Sequence, residues 1–276
     1  MSRAAKLRKQ LLAGPFIFWI VAFTLIPLAM MVYRAFTDGS GAFTLANVAA
    51  IARPTFLKAL GLSLELALIS TAICLLLAYP VALILRKASH GRGAFFIFVF
   101  VLPMWMNFLL RTMAWQSLLE REGVVNGILS AIGLPGIEII NTPGAIVLGM
   151  VYNFLPFMIL PLYNSITKID DSTINAAYDL GANRIQTVFR VIVPQSLAGI
   201  VSGITMVFVP SLTTFVVSDI LGGGKVMLIG NIIEQQFTVN YDWNLGAGLS
   251  IVLMIFVLIS MALVNSFDKS GEGRLL

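Results

Sequence analysis

Long apolar runs alternate with short polar segments along the whole chain. Six runs, at about 11–33, 59–85, 94–118, 144–167, 196–220 and 246–267, have the ~20-residue length that carries a helix across a bilayer's hydrocarbon core. They are too long for barrel strands, so the pattern predicts α-helices that satisfy their backbone groups within each segment. Polar segments at 34–58, 86–92, 120–143, 168–195 and 221–245 separate them. The longest interruption is Asp170–Pro194.

That interruption reads as two short helices joined by a turn. Asp171 or Ser172 is the expected cap of the first, because a short side-chain oxygen there satisfies a free helix-start N–H. Ile174, Ala177 and Tyr178 fall on one face at helical spacing. Gly181 stands where a left-handed residue ends a helix at low cost. In the second helix Ile185, Val188, Phe189 and Ile192 form one stripe, and Arg184, Gln186, Thr187 and Arg190 the other. Pro194 marks the end of the segment or the entry to the next run. A polar, capped hairpin between apolar runs fits a surface that docks a soluble partner. An ordinary amphipathic loop is the competing reading.

Composition sharpens the class. Hydrophobic residues are 58% of the 276 and charged residues 11%, with mean hydropathy +0.93. A soluble domain carries roughly 25% charge, so the chain is an all-α integral membrane protein, and residues 1–276 form a single transmembrane domain. The basic start (Arg3, Lys6, Arg8, Lys9) could open a signal peptide, but the apolar run behind it is too long and lacks a small-residue cleavage site. Of the 18 lysines and arginines, two thirds fall on one set of alternate segments, which places both termini inside. Seven prolines lie within the runs (Pro15, Pro27, Pro80, Pro103, Pro156, Pro161, Pro210). Each removes a backbone hydrogen bond, and kinked spans favour a transporter or channel over a plain anchor.

Several chemistries fall away. A lone cysteine, Cys74, excludes an intrachain disulfide, and a lone histidine, His90, argues against a metal centre. An intramembrane serine protease needs a serine and a base in reach, yet His90 belongs to an inner loop and Ser250 to the far end of the last run. The run Gly222-Gly223-Gly224-Lys225 lacks phosphate-loop spacing and reads as a turn. The basic balance gives orientation and not nucleic-acid binding. A stand-alone secondary transporter would show an internal repeat, and none is clear between 1–138 and 139–276.

The spacing Asn175-Ala176-Ala177, Gly181, Val191-Ile192-Val193-Pro194 resembles the E-A-A-x3-G-x9-I-x-L-P signature of permease subunits of bacterial ABC importers, with Asn175 where the family has glutamate. The segments VLPMWMNFLLRTMAW (101–115), PLYNSITKID (161–170) and SDILGGGKVMLIGNIIEQQF (218–237) look like the B-type subunit of the spermidine/putrescine permeases. The resemblance covers nearly the whole chain. It implies a type I ABC importer (methionine-importer-like) permease fold of six transmembrane helices in the bacterial inner membrane. It also implies a second homologous permease subunit, two ATPase subunits carrying ATP and Mg, and an external substrate-binding protein. No cofactor is expected on this chain. Residues 168–195 would be the cytoplasmic coupling hairpin between spans 4 and 5, with Asn175, Ala176, Ala177, Tyr178, Gly181 and Pro194 at the ATPase. Related permeases for ferric iron, phosphonates or sulfate share the hairpin.

A polyamine path needs carboxylates or other oxygens for ammonium groups and aromatic faces for the stem. Asp219 and Glu65 are the intramembrane acids, with Phe215 one turn before Asp219. Trp105, Asn107, Arg111 and Trp115 on span 3, and Tyr152 and Asn153 on span 4, are further candidates. Against these stand interfacial aromatic belts and asparagines that join helices. Arg111 is expected to pair with an acid such as Glu120 or to contact the binding protein.

Overall fold

Helix forms throughout, and no strand occurs among the described residues; Thr37 and Phe43 make an isolated bridge. The structure, a computed structural model, describes residues 14–88 and 93–272. The orienting residues Arg3, Lys6, Arg8 and Lys9, the loop residues His90 and Arg92, and Arg274 lie outside the described residues. In chain order the helices are α1 (Gly14–Ala35), α2 (Ala46–Ala49), α3 (Pro54–Ala88), α4 (Gly93–Val101), α5 (Phe108–Leu119), α6 (Val124–Ala131) and α7 (Pro143–Ile166). They continue with α8 (Asp171–Asp179), α9 (Arg184–Gln195), α10 (Leu197–Thr213), α11 (Val216–Gly222), α12 (Ile229–Thr238) and α13 (Trp243–Glu272). Four helices (α1, α3, α7, α13) are long and apolar enough to cross a membrane. Two bent pairs raise this to as many as six if each is one span.

The first bent pair and a separate break at Thr214 correct the expectation of unbroken helices at 94–118 and 196–220. In the first, a 95° bend separates Phe98–Trp105 from Phe108–Ala131. Pro103 starts a tight 3₁₀ turn, and Asn107 then caps a new helix by accepting from the Leu109 and Leu110 amides. Such a cap satisfies the free N–H groups of a restart, so breaking there costs little. The second bent pair, Arg184–Gln195 and Leu197–Thr213, turns by 73° at Ser196; separately, α10 ends at Thr213, the chain extends through Thr214, and α11 restarts at Val216. A side-chain methyl on Gly230 would stand 2.9 Å from the carbonyl oxygens of both Thr213 and Thr214. The break is thus where the start of α12 comes close. Polar segments also hold helices, α6 within 120–143 and α12 within 221–245.

Prolines act in two ways. In α1, Val21–Leu25 is π-helical, and the Ile26 amide donates five residues back to the Val21 carbonyl. Pro27 follows; it has no N–H and its ring crowds the carbonyl four residues earlier, so a wider turn relieves the conflict. Val188–Ile192 repeats the device, with Val193 donating to Val188 just before Pro194. Helix continues through Pro80, Pro156, Pro161 and Pro210.

The chain divides into two compact units, one of residues up to Leu57 with Ile233–Phe256, the other of Lys58–Ile232 with residues from Val257. In the first, Ala35, Ala247 and Ile251 form a small core with Phe36 and Val48. Its loop is pinned by Asn47, which donates to the Ala35 and Thr37 carbonyls. Asp38 closes a turn by accepting from the Ser40 hydroxyl and the Ser40 and Ala42 amides. The Ser40 hydroxyl, then the Ala42 and Ser40 amides, hold its carboxyl below the ordinary carboxylate range.

The second unit is built on α7, which buries Ile146, Met150, Met158, Ile159, Leu162 and Ile166 fully. Helix α10 lies along it. Gly199 and Gly203 face α7 so closely that a methyl on Gly199 would stand 2.5 Å from Ser165 Cβ, and one on Gly203 2.5 Å from Met158 Sδ. Lipid tails are as apolar as leucine, so transfer gains little in a bilayer, and close approach of small residues supplies the packing.

Candidate functional site

The hairpin forms where the spacing places it. Helix α8 turns Ile174 inward, with Ala177 half-buried beside it, and leaves Asn175, Ala176 and Tyr178 exposed. Gly181 sits at φ +82°, the left-handed conformation that a Cβ disfavours, and the space around it is open. The cap is a correction. Asp170, not Asp171 or Ser172, occupies the cap position and makes no side-chain cap bond. Asp171 is in the first turn and pairs with Arg86 at 2.8 Å; the same guanidinium nitrogen donates to the Ile169 carbonyl at 2.6 Å. The hairpin is therefore tied at its start to the end of α3. Asn175 makes no side-chain hydrogen bond or ion pair among the described residues, and the polar tie at the start of the hairpin is made by Arg86.

Helix α9 begins with a capping box. Asn183 accepts from the Gln186 amide at 2.8 Å, and the Gln186 side chain accepts from the Asn183 amide at 2.9 Å. The expected stripe is split. Thr187 and Ile192 are buried and Val188 is half-buried, whereas Ile185 and Phe189 are 70% and 68% exposed and Leu180 is 89% exposed. The π turn at 188–192 rotates the helix part-way through, so strict 3.6-residue spacing no longer describes which residues share a face. The result is a hairpin with an apolar outer surface. Its exit is held by the Tyr79 and Ser196 hydroxyls, 3.0 Å apart.

The second group of candidates gathers at the break between α10 and α11. Phe215 precedes the first turn of α11, and Asp219 lies one turn on, its amide donating to the Phe215 carbonyl. Both side chains are exposed. Asp219 accepts from the Asn231 side chain at 2.9 Å. Glu65 is exposed on α3 and makes no hydrogen bond or ion pair among the described residues. Trp105 is exposed at the α4–α5 break, edge-on to Phe98. Trp115 and Tyr152 do come together, ring centroids 5.2 Å apart, with Tyr152 at the surface.

The asparagines serve structure. Asn107 is a helix cap, and Asn153 is buried, donating to Gly149 and Thr112. Arg111 departs from its expected ion pair: it is buried, its guanidinium lies 6.0 Å from the Phe108 ring, and no acid pairs with it among the described residues. The Gly222–Lys225 run is a turn, with Gly223 and Gly224 both at positive φ. Among the described residues no three metal-ligating side chains come together. Sequence reasoning missed Arg86 and Asn231 as site residues. Arg86 counted only as loop charge, and Asn231 acts through contacts with no local spacing.

A helical chain with at least four membrane-length helices and an exposed hairpin fits a membrane transport subunit, and comparison with known proteins makes the class specific. The family described as "Binding-protein-dependent transport system inner membrane component" matches residues 4–270, and the chain belongs to it, a multi-pass protein of the bacterial inner membrane. The spermidine/putrescine transport system permease protein PotB of Escherichia coli (strain K12) is 39% identical over 245 residues, covering 86% of this chain and 89% of that protein. The fold matches a chain of a bacterial ABC transporter involved in the import of the acidic polysaccharide alginate, with TM-score 0.79 and 18% identity over 98% of this chain and 99% of that one. It also matches a chain of a bacterial alginate ABC transporter in complex with an alginate pentasaccharide-bound periplasmic protein, with TM-score 0.76 and 17% identity, covering 97% and 95%.

Proposed function

We propose that this chain is the B-type permease subunit of an ATP-driven polyamine importer and forms half of the path for spermidine and putrescine. The observation that carries the substrate class is the likeness to the PotB permease along most of both chains. Each bent pair counts as one span, giving six spans with both termini cytoplasmic, and residues 1–276 act as one permease domain. A second homologous permease completes the path, and an external binding protein delivers the substrate. The chain performs no catalysis; two separate ATPase subunits bind and hydrolyse ATP with Mg.

The hairpin, residues 168–195, is the coupling element. Asn175, Ala176, Tyr178 and the apolar Leu180, Ile185 and Phe189 present a surface that a soluble ATPase would cover. Ala177 packs the first helix, Gly181 sets the turn, and Pro194 fixes the exit. Motion of the ATPase dimer would then bias the permease between inward- and outward-facing states. Asp219 and Glu65 offer carboxylates to ammonium groups, and Phe215, Trp105 and Tyr152 offer ring faces to the methylene stem.

The test is uptake of labelled spermidine in cells lacking other polyamine importers. The cells would express this chain with its ATPase, second permease and binding protein, beside a Gly181→Trp control. Uptake that vanishes in the control is the expected result. An assembled complex that carries no spermidine would discard polyamine and leave an importer of another small solute.

A further inference from the structure

Asn231 is 1% exposed, yet both ends of its amide are used. Its oxygen accepts from the Leu228 amide at 3.1 Å and lies 2.5 Å from the Ser218 hydroxyl. Its nitrogen donates to the Phe215 carbonyl at 3.1 Å and to the Asp219 carboxylate at 2.9 Å. Two of these partners admit one role only. A backbone N–H can only donate and a carbonyl can only accept. Leu228 and Phe215 therefore fix which end of the amide is which, and the second hydrogen on the nitrogen is left aimed at Asp219. Gly230 makes the approach possible, because any side chain there would collide with the Thr213 and Thr214 carbonyls.

From this geometry we infer that Asn231 is a positioning residue for transport: it holds one carboxylate oxygen of Asp219 so that the other faces the path and meets an ammonium group. The inference rests on the proposed reading of Asp219 as a path residue. A free aspartate at an exposed position samples several rotamers, and a held one presents its charge at a fixed place. Asn231 lies on α12 and Asp219 on α11, joined through the 223–228 turn. The same amide thus ties the carboxylate to the broken span and to the helix that follows it.

The experiment is a double-mutant cycle on spermidine uptake by the full complex in cells, with rates divided by the amount of assembled complex recovered from the membrane. Asp219→Asn is expected to lower uptake at least tenfold. Asn231→Ala is expected to lower it about tenfold, the scale of one hydrogen bond to a charged group. In the Asp219→Asn background Asn231→Ala should then cause no further loss. A purely structural asparagine gives the opposite result, since its penalty would persist whatever occupies 219. That outcome overturns the positioning role and leaves Asp219 in the path. Unchanged uptake in Asp219→Asn overturns the path assignment itself. If Asn231→Ala fails to assemble, Asn231→Leu keeps the volume without adding a charge beside Asp219, loses the contact to Asp219, and takes its place in the cycle.

Discussion

The hairpin and the Asp219 shelf are held by opposite means. The hairpin leans on short-range devices: a left-handed glycine, a capping box spanning four residues, and one ion pair whose acid is largely exposed. Its apolar side chains Leu180, Ile185 and Phe189 point outward. The shelf depends on a single buried amide with four contacts on a neighbouring helix and turn. A surface pair in water contributes about 0–1 kcal/mol, whereas a buried amide that loses a partner leaves a polar group unsatisfied at about 1–3 kcal/mol. The hairpin is therefore soft and completed by whatever covers it. The shelf is rigid by itself. These properties suit the proposed roles, since a coupling element has to move with a partner and a charge that meets a substrate has to stay in place.

Gly181→Trp tests the soft side with the largest effect. Nothing lies near Gly181, so the indole has room within the chain, and its cost is the positive φ plus a bulky projection from the turn. Membrane insertion should survive and uptake should disappear. Normal transport with a tryptophan there would remove the turn from the coupling surface. On the rigid side the matching change is Asp219→Asn, expected to reduce uptake at least tenfold while the complex assembles in normal amount.

Arg86 gives an intermediate effect. One guanidinium nitrogen makes both contacts, to Asp171 and to the Ile169 carbonyl, so a lysine that reaches the same point keeps both. Arg86→Ala should lower per-complex uptake several-fold, and Arg86→Lys should retain more than half. Equal loss in the two variants would mean that guanidinium shape, and not the donor position, holds the hairpin.

The same contrast decides what the residue pattern could reveal. Gly181, the two short helices and the four long spans follow from local spacing, hydropathy and backbone preference, and these are written in adjacent residues. The breaks at Asn107 and Thr214 escaped because the apolar runs continue across them. Hydropathy reports which residues tolerate lipid and is silent on whether the backbone bends. The split of the Ile185–Ile192 stripe escaped because a π turn before Pro194 changes the helical period. Arg86 with Asp171 lies 85 residues apart in sequence, and Asn231 with Asp219 joins two helices. Such pairs depend on where helices meet. The close approach of Gly199 and Gly203 to α7 does carry a local mark, two small residues four apart in one apolar helix.

The smallest expected effect separates local order in the hairpin from its docking. Asn183→Ala removes the acceptor for the Gln186 amide and leaves the reciprocal bond from the Asn183 amide to the Gln186 side chain. Loss of a cap of this kind costs about 1 kcal/mol, and a glycine in its place only a few tenths. Hydrogen exchange at Gln186 in the permease without its ATPase should therefore speed up about fivefold in Asn183→Ala, as ~1 kcal/mol implies, and hardly at all in Asn183→Gly. Uptake should fall less than twofold in either, because in the proposed reading an ATPase that covers the hairpin would restore the helix that the cap no longer starts. A fall in uptake as large as that of Gly181→Trp would show that the hairpin must be ordered before it is docked, and the division between a soft coupling element and a rigid carboxylate shelf would fail on the hairpin side.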